Sequence, residues 1–162
     1  MKKILLVLLL SGLAWADATP GQVVDSFYRT YTQSVESTPR SWVQTTMAKE
    51  AAHIESDLSE MLVELANGDP NSGGPWLDFD PFSNSQMGVE SYSLGETIVK
   101  DGLAYVPVSI KFPRDPGPAR LRLRVVLRQS EGAWRIANFA YPAEAGMAAW
   151  DLRTFLKETL KR

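Results

Sequence analysis

The sequence contains no cysteine and only one histidine. Without cysteine the chain can form no disulfide, no zinc–thiolate site and no catalytic thiol, and it cannot carry a lipid on an N-terminal cysteine. A single histidine is too few for a histidine-rich metal site. The fold must therefore be held by its own core, for which a hydrophobic content of 44% is ordinary.

An excess of positive charge is also missing, since 17 Lys and Arg residues stand against 19 Asp and Glu residues. A general nucleic-acid-binding domain usually carries a strong basic excess, so this balance argues against one. The longest apolar run, residues 4–10, is shorter than the roughly 20 residues that cross a bilayer. We therefore predict no membrane span in the mature chain.

The first sixteen residues have the pattern of a secretory signal peptide. A lysine pair precedes the apolar run, and an Ala-x-Ala end follows it. Cleavage is expected after Ala16, with cleavage after Ala18 as the alternative. Removing the two lysines from the 17 basic residues leaves 15 against 19 acidic ones, a net charge of −4. We expect one bacterial domain over 19–162, periplasmic or secreted and without a lipid anchor.

Hydrophobic periodicity predicts helices at both ends of this domain and strands between them. Apolar residues recur at helical spacing near the ends, while apolar and polar residues alternate in the third quarter. Thr19 and Gln22 have capping-box spacing, and Pro107 suggests an edge or a bulge. This order predicts an α+β fold in which helices pack on one face of a curved four-stranded antiparallel sheet. The predicted helices are 19–35, 41–66 and 146–160, and the predicted strands are 88–100, 103–112, 119–128 and 132–141.

A loop rich in proline, glycine and asparagine separates the helices from the strands, and its last part carries a motif. Segment 77–86 reads Leu-Asp-Phe-Asp-Pro-Phe-Ser-Asn-Ser-Gln; a Phe-Tyr pair at 27–28 precedes it and Trp-Arg-Ile at 134–136 follows it. On the basis of these motifs the chain resembles a mostly exported bacterial family called domain of unknown function 3828. The resemblance covers nearly all of the mature chain. The resemblance implies a cone like that of cystatin-like and nuclear-transport-factor-like domains, and it implies no established activity. The family often has Gln-Asp where this chain has Gln86-Met87, so no role is expected for that aspartate here.

The motif contains two aspartates, Asp78 and Asp80, among aromatic residues. Such a carboxylate pair can perform acid–base chemistry when burial shifts one pKa. In the alternative, which the sequence favours, both carboxylates accept backbone N–H groups and fasten the loop. Asp69 and Asp80 also stand at the first and twelfth positions of a calcium-loop spacing, but no exiting helix follows. A glycine-rich turn is predicted there instead, and we predict no metal and no cofactor.

Three arginines alternate along the strand predicted over 119–128, so they are expected to project from one face. Arg120, Arg122 and Arg124 could hold an anionic ligand or an acidic partner protein, because guanidinium groups bind carboxylate and phosphate bidentately. In the alternative they form a solvated face that pairs with polar groups of neighbouring strands. The lone His53 is predicted to be a surface or packed helix residue.

Aromatic residues complete the candidate binding set. They could line a cavity that receives an apolar ligand, or they could simply fill the core. The candidate residues for binding a ligand or partner are Tyr28, Trp42, Trp76 and Gln86, besides the three arginines; Phe27, Tyr31 and Trp134 belong to the same aromatic set.

No catalytic motif is present, so the sequence favours a non-catalytic exported domain that binds a periplasmic partner protein or a small ligand. One alternative is a hydrolase- or isomerase-type enzyme that uses Asp78 or Asp80 in a cone-shaped pocket. A second alternative is a structural module associated with the cell envelope. The oligomeric state does not follow from the sequence.

Overall fold

The computed structural model describes residues 18–144 and 146–161, and the predicted signal peptide lies outside them. No helix in the described ranges is long and apolar enough to cross a membrane. The elements in chain order are α1 (Pro20–Ser37), α2 (Trp42–Lys49), α3 (Ser56–Ala66), β1 (Ser91–Leu94), β2 (Ile98–Lys100), β3 (Leu103–Lys111), β4 (Arg120–Ser130), β5 (Ala133–Tyr141), β6 (Trp150–Asp151) and α4 (Leu152–Leu160).

These elements form an α+β fold with one antiparallel sheet, as predicted. The strand order is β1-β3-β4-β5-β6, and β2 pairs with β3 beside β1. The described part of the chain has six strands rather than the predicted four. The predicted strand 88–100 breaks into β1 and β2, and Trp150–Asp151 adds a short strand beside β5.

The break between β1 and β2 lies opposite Pro107 of β3. The backbone N–H of Gly95 donates to the Pro107 carbonyl at 2.8 Å. The nitrogen and the carbonyl of a strand residue point toward the same neighbouring strand. Because Pro107 has no N–H, it cannot donate a hydrogen bond on this side, where the gap between β1 and β2 lies. The irregularity expected at this proline is therefore observed, inside the sheet rather than at its edge.

Helix α1 begins with the predicted capping box. The N–H of Gln22 donates to Thr19 Oγ1 at 3.3 Å, and the N–H of Thr19 donates to Gln22 Oε1 at 2.8 Å. Each bond satisfies an N–H that has no partner within the helix. The helix ends at Ser37, two residues later than predicted. The side chains of α1 that are buried in the core are Val23, Val24, Phe27, Tyr28 and Tyr31.

The prediction of one helix over 41–66 is wrong, because α2 and α3 are separated by a segment that pairs with β5. The N–H of Ile136 donates to the His53 carbonyl at 2.7 Å, and the N–H of Glu55 donates to the Ile136 carbonyl at 2.9 Å. Backbone groups used in this bridge cannot also continue a helix. Glu50 is the C-cap residue of α2, and its buried carboxylate accepts a hydrogen bond from the Thr30 hydroxyl at 2.5 Å.

The last helix begins at residue 152 rather than 146, because Trp150 and Asp151 pair with β5. The Asp151 carboxylate then caps α4 by accepting from the Thr154 N–H at 2.9 Å. The core lies between the helices and one face of the sheet. The strand residues that are fully buried there are Ala104, Val106, Val108, Leu123, Val125, Leu127, Ile136 and Phe139.

Candidate functional site

A cleft of about 350 Å³ lies beside the motif loop, where that loop meets the ends of α1, α2 and α3. Four of the residues proposed from the sequence line it, namely Trp42, Asp78, Asp80 and Gln86. The apolar lining consists of Val35, Trp42, Val43, Ala66, Leu77 and Phe79. The polar lining consists of Arg40, Gln44, Asp78, Asp80, Ser85 and Gln86.

The Asp-Pro-Phe part of the motif is held by two tyrosine hydroxyls that reach its backbone. The Tyr28 hydroxyl donates to the Phe82 carbonyl at 2.7 Å, and the Tyr141 hydroxyl donates to the Pro81 carbonyl at 2.7 Å. Both tyrosines are buried, one on α1 and the other on β5. Because the two hydrogen bonds come from opposite layers of the fold, this part of the loop is an internal anchor.

A third tyrosine holds the Asp80 side chain. The Tyr31 hydroxyl donates to Asp80 Oδ2, and the Phe82 N–H donates to Asp80 Oδ1 at 2.9 Å. Burial raises the pKa of Asp80, although these two hydrogen bonds act in the opposite direction. Burial and the nearby Asp80 carboxylate also raise the pKa of Tyr31. Both oxygens of Asp80 are thus engaged, and one of the two bonds is the loop-fastening contact predicted from the sequence.

Asp78 differs from Asp80, and the prediction that its carboxylate fastens the loop is wrong. Its side chain is exposed and makes no hydrogen bond within the described ranges. Its backbone carbonyl accepts from Gln86 Nε2 at 2.7 Å, and the Asp80 N–H donates to the Ser85 carbonyl at 2.9 Å. These two hydrogen bonds join the two ends of the loop. Gln86 therefore stabilises the loop that it shares with the lining of the cleft.

The described structure also contains a buried hydroxyl without a hydrogen-bond partner, that of Ser83. Ser83 is fully buried beside Asp80, and its backbone N–H donates to the Asp80 carbonyl at 3.4 Å. It does not line the cleft. The hydroxyl is therefore not accessible to a molecule bound there.

Two polar residues of the cleft were not proposed from the sequence. Arg40 lies in the turn between α1 and α2; its side chain is exposed and has no ion pair within the described ranges. Gln44 lies in the first turn of α2, and its Nε2 donates to Asn67 Oδ1 at 2.7 Å. Arg40 lies in a connecting segment whose local sequence carries no motif. Only its spatial position beside the loop identifies it.

Two aromatic candidates do not belong to the cleft. Tyr28 is fully buried, with its ring centroid 5.7 Å from that of Phe27, so it fills the core. Trp76 is 43% exposed and precedes the motif, but it does not line the cleft. Trp42 is the aromatic candidate that does, half-buried against Tyr31 with 5.5 Å between ring centroids.

The prediction that three arginines share one face of β4 is wrong, because a bulge interrupts the strand. Val108 of β3 pairs with Leu123, but the next residue, Ser109, pairs with Leu121. Arg122 is therefore the extra residue of β4. A bulge shifts the alternation of side chains by one, so Leu121 moves to the face of Ser109 and is 37% exposed.

The three arginines consequently have three different environments. Arg120 pairs with Ile110, whose side chain is buried in the core face. Arg122 lies 4.6 Å from the Phe112 ring centroid, and its Nη1 is 2.9 Å from Glu144. Arg124 is exposed and has no ion pair in the part of the chain that the structure describes. The bulge thus divides the arginine face that the alternation predicted.

Elsewhere, the described residues contain no group of three or more acidic or histidine side chains that could hold a metal ion. At the predicted glycine-rich turn, the Asp69 carboxylate accepts from the Asn71 N–H at 2.8 Å. The partly exposed His53 has its Nδ1 2.7 Å from the buried Glu50 carboxylate. These side chains therefore serve turns and packing.

Comparison with known proteins gives no match, whether to a protein-family model, to a curated protein or to a solved structure. The resemblance to domain of unknown function 3828 therefore stays a prediction that depends on the residues quoted above.

Proposed function

We propose that this chain is an exported, non-catalytic binding domain whose cleft beside the motif loop takes a small amphipathic carboxylate. The observation that carries the proposal is the contrast within the lining: each carboxylate oxygen of Asp80 already accepts a hydrogen bond from the protein, whereas Arg40 has no ion pair within the described ranges. An unpaired guanidinium at the rim of a partly apolar cleft is suited to a carboxylate, which it can bind bidentately.

The dimensions and lining of the cleft agree with a small ligand. A volume of about 350 Å³ falls in the lower range of small-molecule sites. Trp42, Leu77 and Phe79 offer apolar and aromatic surface, and the charged groups Arg40 and Asp78 lie on exposed residues of the lining. We infer a ligand whose apolar body lies against Trp42 and whose carboxylate meets Arg40.

Export is proposed from the basic and apolar start of the chain and its Ala-x-Ala end. We also propose the cone fold of the cystatin-like and nuclear-transport-factor-like domains. The α+β class and the single antiparallel sheet support that assignment. In the alternative, the chain is a structural module associated with the cell envelope, and the surface of the same fold packs against a larger assembly.

An enzyme that uses Asp80 is the second candidate, because this carboxyl lines the cleft and burial raises its pKa. A general acid or base must reach its substrate through a free lone pair or proton. Here one oxygen accepts from Tyr31 and the other from the Phe82 N–H. This arrangement favours anchoring over catalysis.

The test is calorimetric titration of the purified protein with two probes that share one ring system, indole-3-acetate and tryptamine. We expect the acid to bind and Arg40→Gln to weaken its binding about tenfold, since a charge-assisted bidentate contact is lost. Arg124→Gln is the matched control, because Arg124 is also exposed and unpaired in the described structure but lies on β4. Equal losses in the two variants, or preference for the amine, would contradict the proposal.

A further inference from the structure

The cleft beside the motif loop contains two polar side chains that the described part of the protein does not use. Six polar residues line the cleft. The side chains of four are engaged by other groups of the protein, namely Gln44 with Asn67, Asp80 with Tyr31 and the Phe82 N–H, Ser85 with the Met87 N–H, and Gln86 with the Asp78 carbonyl. The remaining two are Arg40 and Asp78. The cleft therefore offers one cation and one anion to a polar ligand.

Arg40 and Asp78 carry opposite charges, yet they do not neutralise each other. Arg40 lies in the turn between α1 and α2, Asp78 lies in the motif loop, and both side chains are exposed. No ion pair joins them, and neither has another charged partner among the residues that the structure describes. Opposite charges that line one cleft without pairing are complementary to a ligand that carries both signs.

The apolar lining indicates what the uncharged part of such a ligand is. Trp42, Leu77 and Phe79 are half-buried, so part of each side chain remains available for contact. The Phe79 ring packs edge-on against Trp150 and Phe155, with 5.8 and 5.5 Å between ring centroids. Surface that is already ordered by packing binds a ligand at a low cost in conformational entropy. The lining is therefore suited to an apolar or aromatic side chain.

We propose that the carboxylate bound by this cleft is a zwitterion, namely an amino acid with an apolar side chain. The assignment rests on the proposed function and adds a second charge to its ligand. The carboxylate of the amino acid meets Arg40, its ammonium group meets Asp78, and its side chain lies against Trp42. The guanidinium binds the carboxylate through two parallel hydrogen bonds, and the Asp78 carboxylate accepts hydrogen bonds from the ammonium group.

The charges and the size of the cleft select an amino acid over other small molecules. A simple acid leaves Asp78 without a partner and is repelled by its carboxylate, and an amine is repelled by Arg40 in the same way. A zwitterion satisfies both groups, so the cleft discriminates against each simpler ligand. The volume of about 350 Å³ lies near the lower limit of small-molecule sites and favours a single amino acid over a longer peptide.

Calorimetric titration of the purified protein with L-tryptophan and indole-3-propionate provides the test, because these two molecules differ only in the α-ammonium group. We expect the wild type to bind L-tryptophan about fivefold more tightly, a difference that one exposed ion pair can supply. Asp78→Asn keeps the size of the side chain and the backbone carbonyl that Gln86 contacts. In this variant the ratio of the two Kd values should fall to about one.

Asp101→Asn is the matched control, since it removes the same charge from an exposed residue between β2 and β3, outside the cleft lining, and should retain the preference. Suppose that indole-3-propionate binds and Arg40→Gln weakens its binding. The zwitterion is then refuted, and the carboxylate site stands, if L-tryptophan binds no more tightly or if Asp78→Asn changes the preference no more than Asp101→Asn does. If neither molecule binds, or if Arg40→Gln weakens neither, the zwitterion and the proposed function are both wrong.

Discussion

The hydroxyls of Tyr28 and Tyr141 should contribute measurably to stability, because both end on backbone carbonyls of the motif loop. Each hydrogen bond is 2.7 Å long, and each tyrosine is at most 2% exposed. Replacing either by phenylalanine keeps the ring and removes only the hydroxyl. The carbonyl of Phe82 or Pro81 then loses this donor in a region that water does not reach.

A buried polar group that loses its partner costs about 1–3 kcal/mol in the free energy of unfolding. For a domain of this size that corresponds to a fall in Tm of roughly 3–9 °C. Tyr28→Phe and Tyr141→Phe act on adjacent carbonyls, so their effects should not add when they are combined. We expect the double variant to lose less than the sum of the single losses, since the loop is already released by the first.

Urea unfolding followed by tryptophan fluorescence measures these differences. Tyr105→Phe is the matched control, because Tyr105 is half-buried on β3 and its hydroxyl makes no hydrogen bond in the described structure. If Tyr28→Phe and Tyr141→Phe destabilise the protein no more than Tyr105→Phe does, the motif is not an anchor. Unchanged stability in the double variant would refute the reasoning outright.

Two further predictions concern charged groups. Because burial raises the pKa of Asp80 in the folded state, the stability that the neutral carboxyl provides is complete below its unfolded pKa and is lost as pH rises through the folded pKa. Urea unfolding measured at pH values from 4 to 8 should therefore show the free energy of unfolding of the wild type falling relative to that of Asp80→Asn as pH rises. Parallel pH profiles of the two proteins would contradict this. Arg153 is 18% exposed, lies 2.5 Å from Glu55 and also bonds Asp57, so Arg153→Gln should lower the free energy of unfolding by about 2 kcal/mol. Arg29→Gln, which breaks a pair on the surface of α1, should cost less, and equal losses in urea would argue against a structural role for the Arg153 cluster.

The candidate site was only partly predictable from the sequence. The motif loop, Trp42 and Gln86 follow from composition and from the quoted resemblance, and all contribute to the cleft. Arg40 could not be predicted, because the packing of α1 and α2 brings it to the loop and no local sequence pattern indicates this position. The roles of the two aspartates were equally hidden, because only tertiary structure buries Asp80 against Tyr31 and leaves Asp78 exposed.

The sequence by itself determined the α+β class, the capping box of α1 and the existence of β3 and β4. These features depend on residues a few positions apart, so periodicity and capping chemistry record them directly. Tertiary structure alone decided the division of 41–66 into two helices and the bulge at Arg122. Both arise from pairing with another strand, at Ile136 for the helices and at Ser109 for the bulge. Local periodicity carries no information about such partners, and a one-residue offset in pairing moves every following side chain to the other face.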